Sequence, residues 1–262
     1  GQPRTFSTHG YGDGDGGDST PFLPRTFFST EFVTPIDWEF LAFVSNEAGT
    51  VTVGGVDLAL EGSGGVFKAR ADSGGSAGVR IMSSVPVWAM MESIADQDEQ
   101  LLYGRVNPDV ATVDAGADDV DDRLYRLFVA RSNGDQAIVA SIGGDNEVFL
   151  NGVSQGTLAE GEVWQGTAQS GDVFEASGPI YGVTQTSTGT HVMVPGRLKG
   201  TEFAIANSRR SEAHLYVNCL DLPCHVTTFS TASMTAVDAR DVDANSFAEI
   251  VVAGQSGSVA AL

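Results

Sequence analysis

Apolar and polar residues alternate along this chain over short runs, and each run ends at a cluster of turn-forming residues. Thr50–Val53, Val66–Ala69, Val79–Met82, Ala137–Ile142, Glu147–Leu150 and Ile250–Ala253 are rich in β-branched and aromatic residues. Gly, Asn, Asp or Ser separates them, which is the spacing of short strands joined by turns. Helical periodicity is almost absent. One stretch, Trp88–Leu102, has helix-forming composition, with Ala, Met, Glu and Gln.

The chain repeats itself, and the repeat decides how that stretch is read. FLAFVSNEAGTVTVGGV (Phe40–Val56) matches QAIVASIGGDNEVFLNGV (Gln136–Val153), offset by 97 residues at the closing turn. In both, a strand enters, a polar turn follows, and a second strand ends in GGV or NGV. Gly54-Gly55 and Asn151-Gly152 suit a tight hairpin turn with positive φ. SSVPVWAMMES (Ser83–Ser93) matches ASGPIYGVTQT (Ala176–Thr186) at an offset of 93. Gly182, Thr184 and Thr186 favour a strand, so Ser83–Ser93 is expected to be one too. Ala95–Gln100 then forms an acidic hairpin loop and Leu101–Val106 the return strand. Pro86 and Pro179 are expected at strand entrances or edges, where a missing N–H is harmless. FAIANSRRSEAHLYVN (Phe203–Asn218) reads as a partial third copy.

The expected fold is therefore all-β, built of tandem β-sandwich modules, immunoglobulin-like or jelly-roll-like, with little helix. The layout is a Gly/Asp-rich arm at 1–21, a first sandwich at 22–108, an acidic joint at 109–122, and a second sandwich at 123–262 that includes the partial third copy. The apolar share of 42% over 262 residues is enough to build such cores.

Charge narrows the setting. Asp and Glu total 34 against 14 Lys and Arg, a formal net charge of -20. That disfavours a nucleic-acid backbone or an anionic bilayer as partner, since both attract basic faces. No stretch approaches the roughly 20 continuous apolar residues of a membrane-spanning helix. Lys68 and Lys199 are the only lysines, and Asp outnumbers Glu. Lysine scarcity with Asp excess resembles the proteins of extremely halophilic archaea, and the tandem strand pattern resembles the repeated β modules of large archaeal and bacterial surface proteins. These resemblances imply an extracellular or cell-surface protein that works in molar salt, where a Debye length of about 3 Å screens its self-repulsion. The chain opens at Gly1 without Met or a signal peptide, which reads as a processed or trimmed form. Cys219 and Cys224, in CLDLPC, are spaced for a short disulfide loop, free thiols or, less naturally, a metal site with His214 and His225. No N-x-S/T sequon is present.

Three acidic segments raise the question of calcium. In DVDANSFAEIVVAG, Asp241, Asp243, Asn245 and Glu249 fall at the ligand positions of the integrin-type FG-GAP loop, which this segment resembles. Alternate carboxylates on a turning loop can surround a hard cation. Ser246 stands where that family has its turn-making Gly, and Asn245 and Glu249 replace Asp, which weakens the match. The second segment, GYGDGDGGDST, offers Asp13, Asp15 and Asp18, with glycines that allow a tight path. The third is the joint, which holds Asp109, Asp114, Asp118, Asp119, Asp121 and Asp122 and reads as a solvated linker or a bridging calcium site.

No reaction is legible. His9, His191, His214 and His225 stand in no G-x-S-x-G or H-E-x-x-H frame, and no phosphate-cradling loop appears. Trp38, Trp88 and Trp164 read as core residues or, if exposed, as a sugar platform. The expectation is a non-enzymatic structural subunit of a filament, sheath or surface layer. It would assemble head to tail as a homopolymer, an extended arm (Arg4, Thr5, Phe6, Phe22) adding a strand to the next subunit. The alternative is a calcium-dependent adhesin or carbohydrate-binding module that engages a cell-surface glycan.

Overall fold

A computed structural model describes residues 28–95, 99–105, 125–130, 132–186, 189–195, 202–205, 212–219, 222–230, 235–244, 246–253 and 258–261. Among them there is no helix; the chain is all-β, in antiparallel sheets.

The first module comprises β1 (Ser29–Val33), β2 (Trp38–Ser45), β3 (Thr50–Val53), β4 (Val56–Ala59), β5 (Glu61–Ser63), β6 (Val66–Ala71), β7 (Arg80–Ser93) and β8 (Glu99–Leu102). β7 belongs to two sheets. Its N-terminal half lies between β3 and β1, through pairs such as Val51↔Ser83 and Phe32↔Ile81. Its C-terminal half lies between β2 and β8, through Val44↔Trp88 and Met90↔Leu101. Trp88–Leu102 is thus strand and hairpin, with β8 beginning at Glu99 and ending at Leu102, not spanning 101–106. Pro86 sits inside β7, at the point where the strand changes sheets. No ladder bond is lost there, because the strand is between partners. Its carbonyl accepts the Ser45 hydroxyl at 2.9 Å.

The second module comprises β9 (Arg126–Phe128), β10 (Asn133–Ser141), β11 (Asn146–Leu150), β12 (Val153–Leu158), β13 (Val163–Gln169), β14 (Val173–Ala176), β15 (Ile180–Thr186), β16 (Gly189–Val192) and β17 (Val194–Pro195). β14 lies between β11 and β9, and β15 between β10 and β16. β14 and β15 are therefore the two halves of β7, parted at Ser177–Pro179. Pro179 stands at the entrance of β15. The registers coincide: Val44↔Trp88 in the first module becomes Ala140↔Tyr181 in the second. Gly54-Gly55 and Asn151-Gly152 close the β3–β4 and β11–β12 hairpins with φ of 56°, 89°, 49° and 75°. Positive φ at both central residues matches the right-handed twist of the flanking strands.

A third unit follows: β18 (Glu202–Ile205), β19 (Glu212–Cys219), β20 (Cys224–Ser230), β21 (Thr235–Val242), β22 (Ser246–Ala253) and β23 (Ser258–Ala261). β22 pairs with β19 and β23 with β18, as the halves of β7 pair with β3 and β2. β23 also pairs with β20, and β20 with β21. This unit has its own small core of Val217, Cys219, Val226, Val242 and Ile250.

Candidate functional site: a two-sided sheet and its open edge

In β10 five consecutive residues, Ala137–Ser141, are buried. A strand with one wet face alternates buried and exposed, so an unbroken run means both faces are covered. Ala137 and Val139 join the second module's own core with Leu127, Val148, Phe174 and Met193. Ile138 and Ala140 join the first module's core, as do Tyr181 and Val183 of β15. The outer face of this sheet is thus packed on the first module.

Polar groups fix that packing. The Tyr181 hydroxyl donates to the Leu101 carbonyl at 2.7 Å, and the Gln100 amide donates to the Thr190 carbonyl at 2.7 Å. Complete burial holds the Tyr181 phenol well above its usual pKa, and the neighbouring Tyr103 adds to the rise. Near the rim, Glu31 accepts from Arg80 at 2.9 Å and from Arg105 at 3.3 Å, and Arg80 reaches Glu160 of the second module at 2.6 Å. Gly78 and Gly161 meet there backbone to backbone. A Cβ on Gly78 would lie 2.6 Å from the Gly161 carbonyl oxygen, and both residues have positive φ.

The two modules differ at two edges, and at one of them the second module adds β17 beyond β9, through Val194↔Phe128 and Pro195↔Leu127. At the other, β5 of the first module covers the outer edge of β6 through Glu61↔Lys68, Gly62↔Phe67 and Ser63↔Val66. Among the described residues the second has no counterpart of β5, and β13 pairs only with β10. The β13 sequence, VWQGTAQ, carries no charge and no proline. Trp164 folds back over Gly166 and meets Phe174 edge-on at 5.3 Å.

The residues singled out from sequence lie as follows. Arg4, Thr5, Phe6, Asp13, Asp15, Asp18 and Phe22 fall outside the described residues, as do Asn245 and the acidic joint. Asp241 is in β21, where it pairs in register with His225 of β20. Its carboxylate meets the His225 ring nitrogen at 2.7 Å, on the surface. Asp243 is exposed in the connection to β22, its carbonyl accepting the Ser246 amide. Glu249 lies within β22, opposite Tyr216. Asp241 and Glu249 are therefore strand residues flanking a short turn. Among the described residues no group of three or more His, Cys, Asp or Glu converges. Cys219 and Cys224 are joined as a disulfide that closes the β19–β20 connection, with Cα atoms 5.9 Å apart. Trp38 and Trp88 are buried, so neither offers a sugar platform.

Gln100, Tyr181 and the Glu31–Arg80–Glu160 chain are not candidates on sequence grounds. The readable signal is the run AIVA in β10, which has no polar alternation.

No protein-family model matches the chain, and no curated protein matches it. A solved structure of an anti-sigma factor domain-containing protein aligns over 64% of this chain and 81% of its own, at 12% identity and a TM-score of 0.20. Similarity at that level carries no argument about fold or function.

Proposed function

We propose that this protein is an extracellular structural subunit of a filament, sheath or surface layer in a halophilic archaeon. In this reading it assembles head to tail, the N-terminal arm of one copy adding a strand to a sheet of the next. The observation that carries the reading is the internal stack: a second copy of the module buries the outer face of a sheet against the first. A module whose sheet faces and edges engage other β-structure is suited to a repeating assembly, and a contact that does not close on itself makes a fibre. The lysine-poor acidic composition and the disulfide agree with a saline, oxidising exterior.

Negative-stain microscopy of the purified chain in molar salt, with and without a calcium chelator, tests the proposal. Long regular polymers are expected, and deletion of Gly1–Ser19 should leave folded monomers. Polymer loss with chelator would place calcium in the joints. Discrete monomers in every condition would reject the structural reading and favour the adhesin, which glycan-array retention would then have to demonstrate.

A further inference from the structure

We infer that the outer edge of β13 is the acceptor for strand addition, and that its occupant is the segment Arg4–Thr8 of a second copy of this chain. The inference rests on the assembly reading above and names the surface it would use.

Three observations converge on this edge. The first is internal precedent. At the equivalent edge of the first module the fold already accepts an added antiparallel strand, since β5 pairs along β6. In the second module that place beside β13 has no strand among the described residues.

The second is the chemistry of the edge. Folded proteins blunt their open edges with charge, proline, bulges or shortness. The other edges of these two modules carry such features. β4 has Asp57, β5 is three residues long, β16 is four and β17 two. The β12 ladder breaks register opposite Val148 and Phe149. β13 has no charge and no proline and is seven residues long, and its one register shift lies at the far end of the ladder, between Asn133 and Asp135 of β10. Its pairing runs unbroken from Ala140↔Val163 to Gln136↔Thr167. The charges fall on the strand that is already covered, at Lys68 and Arg70 of β6.

The third is the direction of the free groups. The Ser141 amide donates to the Glu162 carbonyl, so residue 162 faces β10. Antiparallel alternation then turns Trp164 and Gly166 toward β10, and the N–H and C=O groups of Val163, Gln165 and Thr167 outward.

The occupant follows from the chain that precedes β1. Nineteen residues lie between Thr8 and Phe28, a span of up to about 65 Å when extended. That is enough to reach a neighbouring molecule. Within the arm, Thr5–Thr8 (TFST) is uncharged, favours strands and contains no proline. Phe22 lies between Pro21 and Pro24, which cannot donate to a ladder.

The test uses the full chain in molar salt. Gln165→Pro removes an outward N–H and leaves the β10 ladder intact. Gln165→Lys places a charge on the edge, and serves if the proline variant misfolds. With far-UV circular dichroism unchanged, each variant should cut sedimentable polymer by about tenfold or more. Phe6→Cys and Gln165→Cys, introduced in separate copies, should cross-link only when mixed. If wild type polymerises and the folded edge variants do so equally well, the acceptor assignment is wrong while the assembly reading stands. If both cysteines in one chain close within the monomer at high dilution, the occupant is the chain's own arm and the second-copy assignment is wrong. If wild type forms no polymer, both inferences fall together.

Discussion

The Tyr181 hydroxyl on β15 donates to the Leu101 carbonyl on β8 across 2.7 Å, at a place where both residues are buried. This bond joins the second module to the first, and a phenylalanine fills the same space without it. Tyr181→Phe should cost about 1–2 kcal/mol in denaturant unfolding, the range for a buried hydrogen bond that loses its donor. An unchanged midpoint would mean the bond adds nothing to the interface.

The same hydroxyl predicts an alkaline limit to stability. Burial raises its pKa in the folded protein above the usual 10.0. The stabilising contribution is present in full below the unfolded value. Above it the unfolded chain loses a proton that the folded protein keeps, so stability falls as pH climbs toward the folded pKa. Unfolding midpoints measured over roughly pH 9 to 11, the range around the free tyrosine pKa, should fall less steeply for Tyr181→Phe than for wild type. Parallel curves would contradict the assignment.

Gly178 is expected to be intolerant of a side chain. A Cβ there would lie 1.8 Å from Asn146 Oδ1. Asn146 is buried, and its amide nitrogen lies within hydrogen-bonding distance of the Ser141 hydroxyl and the carbonyls of Gly143 and Pro179. Gly178→Ala should destabilise by about 2–4 kcal/mol, through overpacking combined with loss of buried polar bonds. A thermal unfolding curve superimposable on wild type would show that the turn relaxes freely.

Cys219 and Cys224 close a loop with a sequence separation of 5. A loop this short restricts the unfolded chain modestly, so Cys219→Ser with Cys224→Ser should cost about 2 kcal/mol. The loss should appear as faster hydrogen exchange in β19 and β20 and leave β1–β17 unaffected. Uniform loss across all strands would mean that the three units unfold as one.

Much of the fold is legible in the residues themselves. The GGV and NGV turns, the repeat of Pro86 at Pro179, and the strand reading of Trp88–Leu102 follow from residue types whose backbone preferences are strong. What is not legible is how the copies sit together. Ile138 and Tyr181 are as apolar or aromatic as any core residue, and nothing local tells whether they face their own module or another. The absence of a β5 counterpart is equally silent, because VSQGTLAEGEVW reads as strand and turn whether or not a third strand forms. As for the Asp241–Glu249 segment, spacing alone cannot show that its first and last acids lie within strands.

The net charge of -20 predicts that the fold gains stability in salt. At about 0.1 M ionic strength the Debye length is roughly 10 Å, and surface carboxylates repel over several residues. The melting temperature should rise by several degrees or more between dilute buffer and molar KCl. Sucrose at matched osmolality favours burial without screening charge. An equal rise in sucrose would show that repulsion is not the cause.

The two-sided sheet has a consequence for how this chain can change over generations. Duplicated modules are ordinarily interchangeable parts, free to be lost, moved or multiplied as single units. Here, separation of the second module from the first would bare Ile138, Ala140, Tyr181 and Val183 to water. The first two modules can therefore be lost or moved only as a pair, whereas a unit with its own core, such as the third, can be added or removed singly.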